Sequence, residues 1–343
     1  MVQRTGPRNA LTDVAGLRVA NAHDPVLRSG VTAVLCDRPT VAAVQVLGGA
    51  PGTRETDLLE PHNAVETVDA IVLSGGSAFG LDAASGVQAL LREKGVGIKV
   101  RGLSIPIVPA AILFDLVNGG NKDWGRYPPY RDLGYEAADA AAEAFATGSA
   151  GAGYGALTAG LKGGLGTAST LTKDGITVAA LVAVNAVGSA TVTDTPNFWA
   201  APFEIDGEFG GLGLPSPMPI DAADVRLKFR DGNAPAANTT IAVIATDAAL
   251  TKAAAKRLAM AAHDGFARAL WPAHTPADGD LVFALATGAA ERAPQGDEMI
   301  EICAAAASTM ARAIARGVHD ATATEGDLLP AWSQRVRASR GES

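Results

Sequence analysis

From Ile176 to Asn185 the chain reads Ile-Thr-Val-Ala-Ala-Leu-Val-Ala-Val-Asn, a near-continuous apolar run rich in β-branched side chains. A strand of that composition has no face to turn to water and must be covered on both sides. Thr239-Thr-Ile-Ala-Val-Ile-Ala245 and Leu281-Val-Phe-Ala-Leu285 are further strands, the first with Ile241 and Val243 on one face. Two stretches with helical spacing alternate with them. One is 248–270, with Asp247 expected as N-cap and Leu250, Ala254, Leu258 and Ala261 about one face; the other is 298–318. The C-terminal third therefore reads β-α-β-α. With 39 glycines and only 5% aromatic residues, helices and sheets can approach closely, which suits a layered α/β enzyme.

The earlier chain carries the same alternation. Val31–Leu35 and Val41–Val46 are expected as two strands separated by a bend at Asp37-Arg-Pro39. Ala70–Leu73 is expected as a strand leading through Ser74-Gly-Gly76 into a helix over Leu81–Arg92. Residues 104–135 read as irregular surface, 136–147 as a helix, and Phe198–Ala237, rich in Gly and Pro, as a long exposed connector.

Composition excludes several functions. Lys and Arg total 28 against 36 Asp and Glu, a net charge of -8, and no basic run could track phosphates, so nucleic acid is not an expected partner. No segment offers ~18 uninterrupted apolar residues, and the first residues lack a secretory signal, so no membrane association and a cytoplasmic location are expected. Cys36 and Cys303 cannot build a zinc cluster and are expected reduced and buried. Neither metal nor cofactor is expected. Gly163-Gly164-Leu-Gly166 lacks the ending of a phosphate loop, and Ser74–Gly80 has neither dinucleotide spacing nor the second glycine of a nucleophile elbow, which would fall at Phe79.

The junction Asn238-Thr239 carries the chemistry. It joins the connector to the first position of a buried strand. Cleavage there would make Thr239 an N-terminus, its hydroxyl a nucleophile and its α-amine the base. That amine has an ordinary pKa of about 7.7–8.0, suited to proton transfer at neutral pH. Asn followed by Thr also opens ordinary strands, so the dipeptide alone does not decide.

Six motifs in order do. Ala50-Pro-Gly-Thr-Arg-Glu-Thr-Asp57, Gly75-Gly-Ser-Ala-Phe-Gly-Leu-Asp82, Leu161-Lys-Gly-Gly-Leu-Gly-Thr-Ala168, Val184-Asn-Ala-Val-Gly188, Asn238-Thr-Thr-Ile and His274-Thr-Pro-Ala-Asp-Gly-Asp280 span nearly the whole chain. Together they resemble the DmpA-type aminopeptidase and nylon-oligomer hydrolase family. The resemblance implies a four-layer αββα sandwich like that of N-terminal-nucleophile hydrolases, and a precursor that cuts itself into α (1–238) and β (239–343) polypeptides within one intertwined domain. It implies hydrolysis of amides in small peptides, β-peptides, amino acid amides or 6-aminohexanoate oligomers, and assembly as a tetramer of αβ units.

By the same resemblance Thr239 is the nucleophile, Asn185 an oxyanion donor, and Lys162 the ammonium that orients Asn185 or the Thr239 hydroxyl. Asp278 and Asp280 hold the new amine and the Lys162 charge; their Asp-Gly-Asp pattern matches the nylon-oligomer branch. Gly75, Gly76 and Ser77 open a helix whose backbone N–H groups could face an oxyanion. Phe79 stands where several relatives carry a Tyr assigned near the scissile carbonyl. Arg54, Glu55 and Asp57 are expected as salt-bridged support, and His263 as structural. Three other readings compete: Ser77 as nucleophile on an intact chain, a ligand-binding relative that never cleaves, and an acyl-transferring relative.

Overall fold

The computed structural model describes residues 4–228 and 238–341, so residues 229–237 of the expected connector lie outside the described residues. Its strands are β1 (Leu17–Asp24), β2 (Ser29–Val46), β3 (Thr53–Arg54), β4 (Thr67–Ser74), β5 (Ile98–Val100), β6 (Leu103–Ile105), β7 (Ala110–Ile112), β8 (Gly164–Leu171), β9 (Thr177–Asn185), β10 (Thr239–Thr246) and β11 (Leu281–Ala286). The α-helices among the described residues are α1 (Ala83–Glu93), α2 (Tyr130–Asp139), α3 (Lys252–Ala269), α4 (Glu298–His319) and α5 (Trp332–Ser339).

One strand ties the layers together. The two strands expected at 31–35 and 41–46 are a single 18-residue strand, β2, and the expected bend is a register irregularity between Leu35 and Thr40. Its first half pairs with β1 and β4, its second half with β11. The ladder then runs β11–β10–β9–β8, with β10 parallel to β11 and antiparallel to β9.

Side-chain alternation sorts the core into three apolar layers. Val31, Ala33 and Leu35 of β2 and Ala70 and Val72 of β4 pack with α1 and α2. Val34 and Val44 join Leu181, Ile241, Val243 and Phe283 between the two sheet layers. On the far side Ala180, Val182, Ala242 and Ile244 pack against α3 and α4. Three apolar interiors need four layers, and they stack as αββα, the architecture that the family resemblance implied.

Local boundaries differ from expectation where chemistry outweighs periodicity. The helix expected at 136–147 is α2, which starts earlier, at Tyr130, and is finished at Asp139. The long helix begins at Lys252, capped by the Thr251 hydroxyl accepting from the Ala254 N–H, because Asp247 instead accepts the Thr177 N–H at 2.9 Å. Cys36 is buried as expected, but Cys303 is only half-buried; both are free. Among the described residues no helix is long and apolar enough to cross a membrane.

Candidate active site

Thr239 opens β10, in register with Asn185 at the end of β9. Both ends are buried: Thr239 is 3% exposed and Asn185 1%. The loop Ala277–Gly279 lies along the junction like a short parallel strand, through a bridge between Asn238 and Asp278. The Gly279 N–H donates to the Asn238 carbonyl oxygen at 2.8 Å. The Thr239 hydroxyl lies 2.5 Å from that same oxygen. A hydroxyl and a backbone donor therefore meet on one carbonyl. Gly279 permits this because a Cβ there would stand 2.7 Å from the Thr239 Oγ1.

The two aspartates hold the junction from below. Asp280 Oδ1 accepts the Thr240 N–H at 2.8 Å, and its Oδ2 accepts from the His274 backbone N–H at 3.1 Å. Asp278 accepts the Thr275 N–H at 2.8 Å and the Val187 N–H at 3.3 Å. Burial first, then the neighbouring Asp280, pushes the Asp278 carboxyl above its ordinary range.

Asn185 is fixed on three sides. Its Oδ1 accepts the Leu157 N–H at 3.0 Å and the Lys228 ammonium at 2.9 Å, and its Nδ2 donates to the Phe114 carbonyl at 3.0 Å. One of the two amide protons is thereby used, leaving one for a developing oxyanion.

The lysine on Asn185 is not the expected one. Lys162 sends its ammonium to Asp327, 2.7 Å away, and makes no contact with Asn185 or Thr239 among its hydrogen bonds. Lys228, from the connector expected to be exposed, is buried and donates to the carbonyls of Leu157 (2.9 Å) and Asn185 (3.3 Å) as well. Burial pulls its amine down to about 7, against the opposing pull of Asp278 and Asp115. No periodicity or motif around Val225-Arg-Leu-Lys228 marks it, so a sequence reading has no means to find it.

The Gly75–Ser77 turn also departs from expectation. Its N–H groups are already spent: Gly75 donates to the Gly30 carbonyl at 2.8 Å, Gly76 to Asp115 at 2.7 Å and Ser77 to the Leu113 carbonyl at 2.9 Å. They serve a buried network in which Ser29 donates to Asp115 at 2.6 Å and Tyr130 to Ser29 at 3.1 Å. Burial raises the Asp115 carboxyl despite these donors and Lys122. Among the described residues the Ser77 side chain makes no hydrogen bond to a histidine or carboxylate. Phe79 is half exposed and packs edge-on against Trp124, ring centres 5.3 Å apart. Arg54 bonds Ser85 and Gln88 of α1 rather than Glu55 or Asp57.

A cavity of about 190 Å³ lies behind Leu157, lined by Arg28, Asn118, Tyr154, Lys162 and Asp327 among others. Of the irregular stretch 104–135 and the connector, Asn118 alone contributes here among the described residues. Thr239 is not on its wall. No group of three or more His, Cys, Asp or Glu among the described residues could hold a metal ion.

Comparison with known proteins identifies the family and the fold. The model of peptidase family S58 matches residues 9–328. An uncharacterized aminopeptidase of Mycobacterium tuberculosis is 45% identical over 345 residues, covering 94% of this chain and 98% of that protein. A 6-aminohexanoate-oligomer endohydrolase of a Kocuria species is 27% identical over 83% of this chain and 77% of its own length. The structure of the L-aminopeptidase D-Ala-esterase/amidase of Ochrobactrum anthropi, described as a variant of the Ntn hydrolase fold, superposes with a TM-score of 0.68 at 22% identity, covering 100% of this chain and 97% of that one. This chain shares that fold, belongs to peptidase family S58 and is an amide-bond hydrolase of aminopeptidase type.

Proposed function

We propose that the chain is a precursor that cuts its own Asn238–Thr239 bond and then hydrolyses small amides with Thr239 as the N-terminal nucleophile. The observation that carries this is the Thr239 hydroxyl and the Gly279 N–H meeting on the Asn238 carbonyl oxygen. Attack by Oγ1 on the Asn238 carbonyl carbon places negative charge on an oxygen that already has its donor. Collapse breaks the C–N bond and leaves Asn238 as an ester on the Thr239 oxygen. Water opens the ester, freeing the Asn238 carboxylate and the Thr239 hydroxyl.

Burial favours the same direction. The Asn238 amide group is buried with neither Oδ1 nor Nδ2 partnered among the described residues. Holding such a group costs about 1–3 kcal/mol, which departure of the severed end relieves. Departure also exposes a nucleophile that is 3% accessible in the uncut chain. In the second reaction the freed amine takes the hydroxyl proton as Thr239 attacks a substrate amide. Oligopeptides and 6-aminohexanoate oligomers both present such an amide and are the proposed substrates. Association into an oligomer belongs to the same proposal, and the outward Ile98, Val100, Leu103 and Ile105 of the β5–β6 hairpin offer apolar surface for it.

A denaturing gel tests the proposal. Purified protein should show two bands near two-thirds and one-third of 34.7 kDa, whereas Thr239→Ala should give one full-length band without amidase activity. A processed, active Thr239→Ala protein would overturn it.

A further inference from the structure

A chain of hydrogen-bonding groups runs from β10 through Asp280 and two histidines to a backbone carbonyl of β2. Thr240 N–H donates to Asp280 Oδ1. Asp280 Oδ2 lies 2.9 Å from His274 Nδ1, His274 Nε2 lies 3.3 Å from His263 Nδ1, and His263 Nε2 lies 2.9 Å from the Gln45 carbonyl oxygen. The Asp280 side chain is 2% exposed and that of His274 20%, while His263 is 3% exposed, so the partly exposed ring stands between two buried groups.

The protons on this chain can be counted from its ends. A carbonyl oxygen only accepts, so His263 Nε2 carries a hydrogen. Burial keeps the His263 ring neutral, its pKa pulled down to about 4, so Nδ1 is bare and accepts. His274 Nε2 must then be the donor. At the other end a carboxylate also only accepts, which asks for a hydrogen on His274 Nδ1 as well. The three groups thus hold one proton more than two neutral rings and a carboxylate supply. Both oxygens of Asp280 already accept a backbone N–H, Oδ1 from Thr240 and Oδ2 from His274, so the carboxyl is arranged as an acceptor. The extra proton belongs on His274.

We propose that His274, oriented by His263, is a positioning residue that holds Asp280 as an imidazolium–carboxylate pair beneath Thr239. Its effect is electrostatic as well as steric. Asp278 and Asp280 are both 1% exposed, one residue apart, beside the place where scission creates an amine. Two uncompensated carboxylates would hold that amine as ammonium, useless as a base. One positive ring lowers the local charge and lets the amine lose its proton near neutral pH. The groups facing the pair are Asp278 on the same loop, His263 and Asp264 on α3, the Gln45 carbonyl on β2, and Lys228, which acts on Asp278 from the connector. The Phe266 ring, 5.1 Å from that of His274, adds no charge.

The proton count is independent of the cleavage reaction, whereas the effect on the amine rests on Thr239 as nucleophile, so two readouts separate them. In Thr239→Ala protein with ¹⁵N-labelled histidine at pH 8, one of the five histidines should carry protons on both ring nitrogens. A second should keep a single Nε2 proton without titrating down to pH 5. Asp280→Asn and His274→Gln should each abolish the doubly protonated signal. In the self-cleaving chain, His274→Gln should move the acid limb of the kcat profile upward by about one pH unit, with KM little changed. Five singly protonated rings at pH 8 would overturn the proton assignment even if His274→Gln failed to fold. An unmoved acid limb alongside an intact NMR signature would overturn the tuning role and leave the count standing.

Discussion

Gly279 has no side chain because its neighbours leave no room: a Cβ would sit 2.7 Å from the Thr239 hydroxyl and 2.7 Å from the Ala50 carbonyl. Gly279→Ala should therefore push the loop off the Asn238 carbonyl and slow self-cleavage by on the order of 10²-fold, the usual cost of a lost oxyanion donor. A time course of precursor conversion on a gel checks this; conversion at the wild-type rate would contradict it. Lys228 makes a pH-dependent prediction. Its amine sits near 7 in the folded chain and near 10.5 when exposed, so between those values the unfolded chain binds the extra proton and stability rises with pH. Compared with Lys228→Met, both in the Thr239→Ala background, the lysine protein should gain on the order of 2 kcal/mol in urea unfolding between pH 7 and pH 9. An unchanged difference would mean that the amine stays charged or exposed. Thr239, Asn185, Asp278 and Asp280 were legible in the sequence because they stand in motifs. Lys228 was not, because its partners are carbonyls of Leu157 and Asn185, remote in the chain.

At the scale of elements, β8 and α4 show how glycine sets layer spacing. A Cβ at Gly166 would overlap the Ala313 carbonyl of α4 and stand 2.5 Å from the Gly317 nitrogen. Both obstacles are backbone, so neither can rotate away. Gly166→Ala should destabilise the protein by about 1–3 kcal/mol through overpacking, read as an earlier denaturant midpoint in the uncleaved Thr239→Ala background. A neutral result would show that α4 floats on the sheet. The strands and long helices were recoverable from apolar periodicity. Their ends were not: α3 starts where Thr251 can cap it, since Asp247 is already bound to Thr177. Likewise β2 runs on through Asp37-Arg-Pro39, because partners on both sides hold its two halves in line.

Across the whole molecule, the proposed cut falls inside the fabric of the fold. β10, which would head the β polypeptide, is zipped to β9 of the α polypeptide on one edge and to β11 on the other. β11 in turn pairs with β2. The two pieces should therefore elute as one species in native buffer and separate only in denaturant, with a single unfolding transition. Separation under native conditions would show that the strand pairing does not survive scission. The same interleaving keeps Thr239 buried in the uncut chain.

The sequence by itself determined the layered α/β plan, through strands too apolar to face water, and singled out the junction proposed here to react, through a threonine delivered to the head of such a strand. Those properties are local, carried by composition and spacing along a few residues. The tertiary structure alone decided which donor meets the Asn238 carbonyl, which lysine reaches Asn185, and that two histidines stand behind Asp280. Each of these depends on distances between segments far apart in the chain, which packing fixes and no short-range pattern encodes.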